Sequence, residues 1–169
     1  MDDSAALEAA PERYSTLQIT MHWTIAALVG AQFFVHDGVR LAFLDRVAGV
    51  EITLGGGAIY HIGAGLLIFA LAAVRLVVRI TQGTPDLDEE IPPFLALLAH
   101  LAHFGLYAFL FVMPVTGAIA WFGVYEPAAV LHEIGRLILI PLIAAHAFGA
   151  LVEHFVMRND TLMRMLRSG

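Results

Sequence analysis

The stretch VLHEIGRLILIPLIAAHAFGALVEHFVM, from Val130 to Met157, decides how the rest of the chain is read. It is long enough to cross a bilayer as a helix, because about 30 Å of hydrocarbon takes about 20 helical residues. Inside it stand three histidines: His154 at its interfacial end, to which no role is assigned, and His132 and His146 within the span. Ionisable side chains are costly in a membrane and mark function there. The two are 14 residues apart. That is just under four helical turns, so both project from nearly the same face, about 21 Å apart along the axis. A hydrocarbon core about 30 Å thick then sets one imidazole near each of its surfaces.

Working outward, three more apolar runs of spanning length precede this one, over residues 16–35, 58–80 and 94–120. Between them lie segments rich in charge, glycine and proline, the residues that punctuate loops. Residues 36–57 hold Asp37, Arg40, Asp45, Arg46, Glu51 and the triplet Gly55, Gly56, Gly57. Residues 81–93 hold Pro85, Pro92, Pro93 and the acids Asp86, Asp88, Glu89 and Glu90. Gly123 to Pro127 reads as a turn, giving a connection of about ten residues between the third and fourth runs. Pro114 and Pro141 fall inside those runs, where membrane helices tolerate them. The fold class predicted is all-α: a four-helix transmembrane bundle forming one domain over residues 1–169.

Composition agrees. Of 169 residues, 59% are apolar and 14% charged, against roughly 25% charged in soluble domains. So small a soluble domain could not hide that much apolar surface. Cysteine is absent, which excludes disulfides, thiolate zinc sites, iron–sulfur clusters and covalently attached haem. A net charge of -6 argues against nucleic acid as a partner. The acidic start (Asp2, Asp3, Glu8, Glu12) does not suit a cleaved signal peptide, so the first run is expected to be retained. Arg13, Arg75, Arg79, Arg158, Arg164 and Arg167 fall on one side of the predicted bundle, and Arg40, Arg46 and Arg136 on the other. Positive charge collects on the cytoplasmic side, which puts both termini there. The tail from Asn159 reads either as a basic amphipathic stretch at the inner interface or as a frayed polar end.

Each of His132 and His146 finds a partner at its own depth. His22 lies about 9 Å into the first helix, a depth similar to that of His146. His61 lies three residues into the second run and His132 two into the fourth. Two imidazoles at one depth, without cysteines or acids, make a poor zinc site, which takes four ligands. They suit haem iron, and two such pairs imply two b-type haems between the helices. Gly65, Gly135, Gly149 and Ala26 stand about one turn from the four ligands and leave room for a flat macrocycle, although small residues also serve plain helix packing. Arg75, Arg79 and Arg136 are candidate donors to haem propionates, and Arg75 and Arg79 would equally snorkel to lipid headgroups. His100 and His103 remain, three apart on the third run. His103 is a rival ligand for the inner haem, or the pair serves proton transfer to a quinone. Ser15, Gln18 and Glu153 are further polar candidates for a quinone pocket.

Several segments together resemble the bacterial cytochrome b561 family. They are Tyr14–Trp23 (YSTLQITMHW), Ile59–Gly63 (IYHIG), Val74-Arg75-Leu76, Ala99–His103 (AHLAH), Leu131-His132-Glu133, Ala145-His146-Ala147 and Asn159–Met165 (NDTLMRM). The resemblance covers nearly the whole chain. It implies a di-haem cytochrome of the bacterial inner membrane with axial roles for His22, His61, His132 and His146. It also implies electron transfer between a periplasmic donor and the ubiquinone pool. One branch of that family oxidises superoxide. The segment joining the third and fourth helices carries no basic residue before Arg136, whereas a site that collects an anion should be positive. Two other readings stand beside the free-standing carrier. One is a haem-bearing anchor or electron-transfer subunit of a larger dehydrogenase or hydrogenase complex. The other is a histidine-based transporter of zinc or copper.

Overall fold

The computed structural model describes residues 11–86 and 91–167. Expectations resting on Asp2, Asp3, Glu8, Asp88, Glu89 and Glu90 lie outside those residues. Among the described residues there are four long helices, α1 (Thr16–Val47), α2 (Gly56–Gln82), α3 (Pro93–Gly123) and α4 (Glu126–Phe155), and one short one, α5 (Thr161–Arg164). Each long helix is apolar enough and long enough to cross a membrane. Bulky apolar side chains face outward: Phe34 is 91% exposed, Ile80 74% and Phe104 74%. The buried positions are often small, as at Ala58, Ala64 and Ala72. Lipid tails are as apolar as leucine, so bulk is free to face them, and small residues let backbones approach where helices meet.

The chain runs up and down. α1 and α2 pack as one hairpin and α3 and α4 as a second, joined through α2 and α3, while α4 has little backbone contact with α1 or α2. The described chain begins and finishes at one end of the bundle, here the terminal end; the α1–α2 and α3–α4 connections form the far end.

At the terminal end α1 starts with a capping box. Ser15 Oγ accepts from the Gln18 amide at 3.3 Å, and Gln18 Oε1 accepts from the Ser15 amide at 3.0 Å. This satisfies two donors that a helix start leaves open. Gln18 Nε2 also donates to the Gly83 carbonyl at 2.8 Å, and Ser15 Oγ donates to Gln82 at 2.9 Å, so the α1 start is fastened to the α2 end. The tail is tied down as well. Trp23 Nε1 donates to the Met165 carbonyl at 2.8 Å, and Arg164 donates to the Asp86 carbonyl at 3.2 Å.

Two boundaries differ from those expected. Residues 36–47 belong to α1 and not to a loop. With 32 residues, α1 is about 48 Å long, well over a hydrocarbon thickness of about 30 Å. Its last turns therefore stand clear of the apolar slab, where Asp37, Arg40 and Asp45 are affordable to a helix. It stops at a glycine: Gly49 has φ of 71°, its amide donates to the Arg46 carbonyl at 3.2 Å, and the Val50 amide reaches the Asp45 carbonyl at 2.9 Å. This is the Schellman closure, which needs a residue tolerant of left-handed backbone. The second difference lies between α3 and α4. α3 continues to Gly123 and α4 begins at Glu126, so Val124 and Tyr125 alone connect them. Pro127 sits in the first turn of α4, where its missing N–H costs nothing.

Candidate cofactor site: two imidazole pairs

α4 presents His132 and His146 toward the first hairpin. The His22 and His146 ring centres are 6.3 Å apart, with planes at 64°. Those of His61 and His132 are 6.0 Å apart at 69°. Imidazole nitrogens bind a metal at about 2 Å, so two rings gripping one ion from opposite sides have nitrogens about 4 Å apart and centres about 6 Å apart. Both pairs stand at that separation. His103 is closer to His146, at 4.9 Å edge to face, which is too short to hold an ion between the rings. Its Nδ1 donates to the Ala99 carbonyl of its own helix at 2.7 Å, and His100 does the same to Ala96 at 2.7 Å.

The far-end pair borders a cavity of about 360 Å³ whose walls include Gln32, His61, Met113, Gly117, Trp121 and His132. His132 Nδ1 donates to the Met113 carbonyl at 2.9 Å, with Thr116 Oγ 3.3 Å away. A ligating histidine characteristically donates its other ring N–H in this way, which fixes the tautomer and aims Nε2 at the metal. Gly117 makes room for the ring, because a Cβ there would lie 3.1 Å from His132 Cε1. These features fit a cofactor bound through iron. Gly65 opens on the Gln32 amide, and nothing approaches a Cβ at Gly149. Gly135 does something else: a Cβ there would meet Met113 Sδ at 2.5 Å, so it serves the close packing of α4 on α3.

The charged candidates have partners of their own. Arg75 donates to the Gln18 carbonyl at 2.7 Å, tying α2 to α1. Arg79 lies over the Tyr107 ring, 5.9 Å from its centre. Arg136 is ion-paired with Glu133, three residues earlier on α4, and Glu133 also meets His36 Nε2 at 3.3 Å. Of the quinone candidates, Ser15 and Gln18 are committed to the cap described above, while Glu153 Oε2 is buried without a partner among the described residues. Among the described residues no group of three or more His, Cys, Asp or Glu could hold a metal ion. Sequence reasoning missed Gln32, the Met113 carbonyl and Gly117. Gln32 carried a signal, being a polar residue within an apolar run; the other two become visible only when α3 meets α4.

A multi-helix membrane protein with imidazoles paired across its helices is the class defined by this fold and site. The family model described as Prokaryotic cytochrome b561 matches residues 13–168. Cytochrome b562 of Cereibacter sphaeroides is 31% identical over 154 residues, covering 91% of this chain and 95% of that protein. The Yersinia pestis protein named Probable superoxide oxidase CybB is 25% identical, covering 92% and 96%. Cytochrome b561 homolog 2 of Escherichia coli is 26% identical, covering 92% and 92%. The chain belongs to the prokaryotic cytochrome b561 family. It is a multi-pass membrane protein of electron transfer, and b-type haem is its cofactor.

Proposed function

We propose that the chain holds two b-type haems, one between His22 and His146 and one between His61 and His132, and conducts electrons across the bacterial inner membrane. The observation that carries this reading is the repeated ring separation, 6.3 Å and 6.0 Å, at two depths. Bound haem supplies a one-electron carrier at each depth. The protein's own residues hold and aim it. His132 is oriented by the Met113 carbonyl, and α4 sets the two ligand positions about 21 Å apart along its axis. Arg75 and Arg79 line the terminal end near the inner pair, where propionates would find donors after modest rearrangement.

The arginine distribution supports a cytoplasmic position for the terminal end. The far end then meets a periplasmic donor, and the terminal end meets ubiquinone, with Glu153, His100 and His103 the polar groups still available near that depth. Superoxide is the donor to test first, given the name of the Yersinia pestis relative. The pairing of Arg136 with Glu133 removes one positive charge from the far-end mouth, which favours a donor that needs no cationic funnel.

Purified full-length protein decides the matter. The expected result is two b-type haems per chain, with His22→Ala and His132→Ala each removing a different one. A single haem in the wild type, or loss of both from either change, overturns the reading. Quinone reduction by the isolated chain supplied with superoxide supports a free-standing carrier. Turnover only with a dehydrogenase or hydrogenase partner present would make it a subunit.

A further inference from the structure

Two buried polar atoms at the far-end cavity lack partners among the described residues, and they are complementary. They are Gln32 Oε1, an acceptor, and His61 Nδ1, a ring nitrogen able to donate. The residues that own them already touch, since Gln32 Nε2 donates to the His61 carbonyl at 3.0 Å. That bond also fixes which way the amide points, because a carbonyl can accept only from the NH₂ group. The amide lies over Gly65, one turn beyond His61, where a Cβ would stand 3.6 Å from Nε2. Within hydrocarbon no water relieves an unmade hydrogen bond.

The opposite ligand shows what is missing. His132 has its Nδ1 proton on the Met113 carbonyl, while His61 has no such partner, and Gln32 Oε1 is a free acceptor on a residue bonded to its backbone. We propose that Gln32 is a positioning residue for His61. A turn of its amide lets Oε1 accept the Nδ1 proton, aims Nε2 at the far-end haem iron, and lowers the reduction potential of that haem. The direction follows from basicity. An imidazole that donates from Nδ1 is a stronger electron donor through Nε2, and a stronger donor favours the oxidised metal.

This inference rests on the two-haem reading, and the experiment keeps the two apart. The full chain is purified as the wild type and as the His61→Ala, Gln32→Leu and Gln32→Glu variants, and each is titrated by optical potentiometry. His61→Ala identifies which reduction wave belongs to the far end. Gln32→Leu is expected to keep two haems and to shift that wave alone upward, by about tenfold in the reduction equilibrium, or about 59 mV for a one-electron couple. Gln32→Glu keeps an acceptor oxygen and should stay at or below the wild-type potential. An unmoved far-end wave in Gln32→Leu overturns the inference, as does loss of that haem from both Gln32 variants alike. If Gln32→Leu loses the haem while Gln32→Glu keeps it at or below wild-type potential, the inference stands. If the wild type holds one haem, or His61→Ala keeps both, it is the two-haem reading that fails.

Discussion

Replacing Gly117 by alanine should loosen the far-end haem while leaving the rest of the molecule sound. A Cβ at this position would lie 3.1 Å from Cε1 and 3.2 Å from Nδ1 of His132. Comfortable contacts between carbons lie at about 3.5–4.0 Å, so the ring must retreat by about half an ångström. It cannot do so freely, because Nδ1 is held 2.9 Å from the Met113 carbonyl. Forcing a methyl into such a place costs roughly 1–3 kcal/mol. Alanine in a helix returns about 1 kcal/mol over glycine, but that gain acts on the whole chain with or without cofactor. Haem affinity carries the misfit alone and should fall on the order of tenfold to a hundredfold. The assay is competition for haem with a scavenging protein, read as the haem-to-protein ratio of each variant. Gly63→Ala is the control: it lies two residues from His61, and its Cβ would meet nothing within 4 Å. If Gly117→Ala retains haem as well as Gly63→Ala does, the argument that Gly117 seats His132 is wrong.

Three further outcomes can be checked. His103→Ala should retain both haems, because His103 stands too near His146 to share an ion with it; loss of one haem in the absorption spectrum would restore His103 as a ligand. Gly49→Ala should lower stability toward thermal unfolding by about 1 kcal/mol, the cost of a side chain in left-handed backbone, and an unchanged midpoint would remove that glycine from the α1 stop. Burial raises the Tyr14 phenol above 10, against the opposing pull of Arg79, Arg75 and Arg164. A raised value means its contribution to stability is present below pH 10 and is lost as the pH climbs through the folded value. The phenolate absorbance removed by Tyr14→Phe should therefore develop above pH 10, and its appearance below 10 would contradict a buried phenol.

The four spans and the two imidazole pairs were legible because membrane thickness and helical pitch leave little freedom. Run lengths gave the helices, and a 14-residue interval gave two depths. The α1 extension was not legible, since charges and apolar residues alternate over 36–47 much as they do in a loop, and a helix there costs nothing once it has left the lipid. Arg136 reads from its place one turn past His132 as a propionate donor, and in the structure it is paired with Glu133, at the three-residue spacing where helical neighbours meet. Gln18 shows a different limit. Its polarity suggests a ligand contact, whereas in the structure its Oε1 completes the α1 cap and its Nε2 fastens that cap to the end of α2. Which job a polar residue holds at a membrane surface depends on what the far part of the chain brings beside it.

The place of α4 in the chain has a consequence for biosynthesis. A ribosome delivers α1, α2 and α3 to the membrane first, and the bonds from Gln18 to Gly83 and from Arg75 to Gln18 allow the first hairpin to close early. Neither imidazole pair exists until the last long helix arrives, because His132 and His146 both ride on it. On the proposed two-haem arrangement, cofactor loading would therefore be held back to the final stage of insertion at both depths at once. A chain interrupted before Glu126 could insert three helices and yet retain no complete ligand pair, so an unfinished molecule would remain colourless and redox-silent in the membrane.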